Sequence, residues 1–111
     1  MDLLTIQEKV GANYMLLELS GAVNAYTISE FQEKVYSYII DSNVVLDMNL
    51  VAGIDFAGLG VILAGINDGL ENGTKLFIMN PSEPVRRILA RTGFIDLFYI
   101  IHSVTEVSDA S

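Results

Sequence analysis

Residues 44–70 constrain this chain more than any other stretch. Val44, Val45, Leu46 and Met48 open an apolar run that continues to Val51, the pattern of a strand buried within a sheet. Ala52, Gly53 and Asp55 join that run to a second apolar segment. There Leu59, Ile62, Leu63, Ile66 and Leu70 recur at helical spacing, with Gly58 and Gly60 at the opening. A buried strand feeding straight into such a helix calls for a parallel sheet covered by helices.

The flanking sequence extends this unit in both directions. Leu4 to Val10 alternates in polarity and Tyr14 to Leu19 is apolar, with Gly11, Ala12 and Asn13 between them, so a β-hairpin is expected first. Gly21 to Tyr26 reads as a polar connection. Thr27 with Glu30 forms a capping-box pattern before a helix expected from about Ile28 to Asp41. Asn72-Gly73 ends the helix over 57–71, and Lys75 to Met79 is strand-like. Ser82 and Glu83-Pro84 suit the start of a helix with Val85, Ile88 and Leu89 as its buried stripe up to Thr92-Gly93. A short last strand is expected within Phe98 to His102, and the polar tail from about Ser103 to Ser111 is expected to fray. The order β, β, α, β, α, β, α, β predicts an α/β domain with a mixed sheet, antiparallel at the N-terminus and parallel thereafter, joined by right-handed crossovers.

Composition narrows the function. The 111 residues suffice for one domain, 1–111, and carry 51% hydrophobic residues and a formal charge of -8. Such a charge repels phosphate backbones and anionic lipid, so neither nucleic acid nor an anionic membrane surface is an expected partner. No run approaches the length of a membrane span and the N-terminus lacks a signal-peptide pattern, so a cytoplasmic protein is expected. There is no cysteine and a single histidine, His102, which removes thiol catalysis and thiolate or two-histidine metal sites; no cofactor is expected.

This element order, with GIDFAGLGVIL at its centre, resembles the STAS domain family of bacterial anti-sigma factor antagonists over nearly the whole chain. Three segments carry the likeness: LSGAVNAYT at 19–27, VVLDMNLVAGIDFAGLGVIL at 44–63, and LFIMNPSEPVRRILARTGFIDLF at 76–98. The resemblance implies a STAS-type sheet with about three to four helices. It also implies a protein-binding module whose partner is an anti-sigma factor, a histidine-kinase-like serine kinase, so that binding releases a sigma factor. The implied partner surface comprises Asn24, Ala25, Tyr26 and Thr27 beside Asp55, Phe56, Ala57, Gly58, Leu59 and Gly60. In the family the joint carries a serine or threonine that the kinase phosphorylates, and the amides of a helix N-terminus suit a phosphate there. Phe56 and Ala57 occupy those phosphoacceptor-equivalent positions here, so no hydroxyl is available. Asn24 likewise stands where the family usually has aspartate.

Each residue also has a plainer reading. Asp55 is as well suited to capping the following helix as to meeting a partner. Phe56 is either an exposed aromatic anchor or part of the core. Gly58 and Gly60 suggest close backbone approach rather than a phosphate loop, since no lysine follows. Substitution Gly58→Arg is accordingly expected to weaken binding and leave folding intact. Arg86, Arg87 and Arg91 read as the solvated face of their helix, and His102 as a surface histidine. A competing function keeps the fold and makes the chain an accessory subunit of a lipid-transporting ABC system that binds its ATPase. An enzyme is disfavoured because no acid-base or nucleophilic constellation is visible. A monomer or weak dimer is expected.

Overall fold

A computed structural model describes residues 3–107. Its elements are β1 (Leu4–Val10), β2 (Tyr14–Val23), α1 (Ile28–Ile39), β3 (Asn43–Ile54), α2 (Phe56–Asn72), β4 (Leu76–Met79), α3 (Glu83–Arg91), a 3-10 turn at Ile95–Leu97, and β5 (Tyr99–Ile101). The sheet runs β1-β2-β3-β4-β5, with β1 antiparallel to β2 and the remaining pairs parallel. The mixed sheet expected from the element order is therefore present.

Alternation along the strands sorts side chains onto two faces. On one face Leu17, Leu19, Val44, Leu46, Met48, Leu76 and Ile78 meet Phe31, Val35 and Ile39 of α1, Leu59 and Ile62 of α2, and Val85 and Leu89 of α3. Each such buried side chain contributes about 1.5–3 kcal/mol. On the other face Leu16, Val45, Phe77, Met79 and Ile101 form a smaller cluster that includes Val107. Β-strand β3 thus buries residues on both faces, as its apolar run requires.

Four expectations need correction. Strand β2 continues to Val23, through a stretch expected to be a connection, because residues 20–23 pair with β3 across two register shifts and Gly21 adopts a positive φ of 111°. Thr27 precedes α1 but makes no side-chain cap bond to it; its hydroxyl turns back to donate to the Ala22 carbonyl at 2.8 Å. The buried stripe of α2 runs through Gly58, Leu59, Val61, Ile62, Gly65 and Gly69, leaving Leu70 exposed and Leu63 at the rim. A Cβ on Gly65 would lie 2.9 Å from Val35 Cγ1, so the helices approach through glycine rather than through leucine. Finally, residues 103–107 do not fray: Val107 is fully buried, and the Glu106 carboxylate accepts from the His102 and Ser103 amides at 2.6 and 2.8 Å. Those two amides hold the Glu106 carboxyl below its ordinary pKa. The rest of the expected frayed tail, 108–111, lies outside the described residues.

Candidate functional site

The two segments singled out in the sequence meet because β2 and β3 are parallel neighbours that end together. Ala22 pairs with Gly53 and Val23 with Ile54, so the connection into α1 and the joint into α2 emerge side by side. This is the edge where parallel α/β sheets place their sites.

Asp55 ties the two segments into one surface. Its backbone amide donates to the Val23 carbonyl at 3.1 Å. Its carboxylate accepts from the Gly58 amide at 3.1 Å, as the N-cap of α2, and from the Ala25 amide at 3.3 Å. The capping reading of Asp55 is therefore correct, and the same carboxylate also braces the neighbouring loop. That loop is locked internally. The Asn24 side-chain oxygen accepts from the Tyr26 amide at 2.9 Å, an Asx turn, and the Asn24 amide donates to the Thr27 hydroxyl at 3.0 Å.

The rigid frame leaves two aromatic side chains in solvent. Phe56, the first residue of α2, is 69% exposed, and Tyr26 is 96% exposed. Phe56 thus points outward, whereas Ala57 is half-buried. Two of the expected surface residues are not on the surface. Leu59 is buried in the main core, and Gly58 is buried where a Cβ would lie 2.7 Å from Val23 Cγ1 and 2.9 Å from Ile54 Cγ1. Neither can touch a partner through a side chain, and Gly58→Arg would disturb folding, contrary to expectation. Gly60 is exposed and has open space beside it.

The STAS domain family model matches residues 4–109. The chain belongs to the STAS domain family. Among solved structures, an anti-sigma factor antagonist from Mycobacterium paratuberculosis is similar at a TM-score of 0.82 and 17% identity, over 96% of this chain and 92% of that one. SpoIIAA, a Bacillus cell fate determinant, in its phosphorylated form aligns at a TM-score of 0.74 and 15% identity, over 96% of this chain and 98% of that one. The murine Slc26a9 anion transporter contains a similar unit, with a TM-score of 0.71 and 14% identity, over 92% of this chain and 18% of the transporter. Thus the STAS fold recurs both in small antagonists and within a much larger transporter.

In this STAS domain, no helix is long and apolar enough to cross a membrane, and no group of three His, Cys, Asp or Glu is placed to hold a metal, both among the described residues. Sequence reasoning missed one wall of the site. An open groove of about 420 Å³ runs from Ala52, Gly53, Asp55 and Phe56 to Pro84, Arg87, Ile88 and Arg91 of α3. The signal was present as the four-residue spacing of Arg87 and Arg91, but only the folded chain shows that this face borders Phe56.

Proposed function

We propose that this STAS domain, a single unit over 1–111, is an anti-sigma factor antagonist that binds a histidine-kinase-like anti-sigma kinase and thereby releases a sigma factor. The observation that carries the reading is the exposed Phe56 at the head of α2, mounted on a joint that Asp55 bonds to both α2 and the β2–α1 loop. Solvent-exposed aromatic side chains on a preorganised frame suit a protein interface, where such residues commonly dominate binding. The partner surface we assign comprises Asn24, Ala25, Tyr26 and Thr27 with Asp55, Phe56, Ala57 and Gly60, while Gly58 and Leu59 support it from beneath. Binding rather than catalysis is its role.

The missing hydroxyl defines how this antagonist would be controlled. With Phe56 and Ala57 at the joint, the kinase has no acceptor at α2, and the nearby Thr27 hydroxyl is engaged by the Ala22 carbonyl and the Asn24 amide. Abundance or a further ligand would then set how much partner is captured. Titration calorimetry of this chain against the histidine-kinase-like ATPase of its own cell tests the proposal. Saturable one-to-one binding supports it; no binding to that kinase, with binding to a transporter ATPase, overturns it in favour of the accessory-subunit reading.

A further inference from the structure

The groove between the α2 joint and α3 carries a charge pattern opposite to that of the molecule. Overall the chain is at -8, yet the groove sets two arginines, Arg87 and Arg91, against a single carboxylate, Asp55, which already accepts from two amides. The arginines lie one turn apart on α3, where side chains three or four residues apart are neighbours.

Their state of pairing differs from that of the other cations. Lys9 pairs with Glu18, Lys34 with Glu8, Arg86 donates to the Pro81 carbonyl, and Lys75 lies over the Tyr99 ring. Arg87 reaches Glu83 at 2.9 Å, an ion pair exposed on both sides that an incoming carboxylate can replace at small cost. Among the described residues Arg91 is the cation whose side chain makes no hydrogen bond, ion pair or ring contact. An exposed guanidinium beside an apolar lining of Pro84, Ile88 and Phe56 suits an anionic side chain flanked by a hydrophobic one.

We propose that this groove seats an acidic segment of the partner protein, its carboxylates on Arg91 and Arg87 and an adjacent apolar side chain against Phe56. This rests on the reading that this end of the domain is the partner surface, and it names the chemistry of the segment that lands there. In a chain of this negative charge, such a basic strip also fixes orientation, because an acidic segment is repelled elsewhere.

The test uses a defined peptide and needs no kinase. Isotope-labelled full chain is titrated by NMR with a capped Glu-Leu-Glu-Phe-Glu peptide and, separately, with its Lys-Leu-Lys-Phe-Lys counterpart. The acidic peptide is expected to shift the amides of Gly53 to Phe56 and Arg87 to Arg91 saturably. Binding should weaken about five-fold in Arg91→Glu and in Arg87→Glu, and remain unchanged in Arg86→Glu, which alters net charge equally outside the groove. No saturable shift, shifts mapped elsewhere, equal binding of the lysine peptide, or equal weakening by Arg86→Glu would each overturn the proposal. Preserved spectral dispersion in each variant shows that it folds. Failure here with intact kinase binding removes only the acidic-segment assignment, whereas failed kinase binding removes the antagonist reading.

Discussion

Three consecutive residues at the head of α2 divide the work of the site. Phe56 faces solvent, Ala57 is half-buried, and Gly58 lies against Val23 and Ile54 with no room for a methyl group. Gly58→Ala is therefore predicted to lower stability by about 1–3 kcal/mol through overpacking, measured by denaturant unfolding. Unchanged stability would mean that the β3–α2 joint relaxes freely. With no hydroxyl at Phe56 or Ala57, a second expectation under the proposed function is that incubation with a cognate kinase and ATP leaves the intact mass of the chain unaltered. A phosphate adduct on Thr27 or Ser29 would show instead that a hydroxyl at the start of α1 is an acceptor. At this scale the sequence pointed to the strand-helix joint but not to the orientation of its side chains, because Phe56 there can turn either way until Asp55 fixes the start of α2.

Helix α2 shows how an element can be recognised while its packing is misread. Its limits and its Gly73 cap, at φ 75°, follow from the sequence, and Leu59, Ile62 and Ile66 of the expected stripe do face the core, but Leu63 and Leu70 do not. Glycines at 65 and 69 mark close approach, to Val35 of α1 and to the Thr74 carbonyl, and a hydrophobicity pattern gives them little weight. The contrast between glycines of one helix is testable. Gly60→Ala, at an exposed position with open space, is predicted to stabilise by about 0.5–1 kcal/mol, whereas Gly65→Ala, 2.9 Å from Val35 Cγ1, is predicted to destabilise. Thermal unfolding distinguishes them, and equal shifts would contradict the packing described. The segment 103–107 was misread for another reason: its polar residues hide a buried anchor, Val107, and a cap from Glu106. Because the folded Glu106 pKa is lowered, its stabilising effect is present at neutral pH and fades as pH falls through that lowered value. The His102 and Ser103 amide signals should titrate with Glu106 below the ordinary carboxylate range, and Glu106→Gln should abolish the titration; its persistence would assign it to another group.

At the scale of the whole molecule, the order of elements was legible because period and punctuation dictate it: alternating strands, a helix start at Ser82 to Pro84, and Gly73 closing α2. The surface that the topology assembles was legible only in part. The family resemblance placed residues 24–27 beside 55–60, yet the adjacency of α3 to Phe56 depends on tertiary packing that spacing does not encode. The result is an acidic domain with one preorganised edge, where two exposed aromatics and a pair of arginines converge on the ends of parallel strands. The most direct test is an affinity capture from native cell lysate with the wild-type chain and with Phe56→Ala in parallel, bound proteins being identified by mass spectrometry. A histidine-kinase-like ATPase should be retained by the wild type and reduced about ten-fold or more by Phe56→Ala, with unfolding midpoints of the two chains equal. Equal recovery of that ATPase by both chains, or recovery of a transporter ATPase in its place, would contradict it.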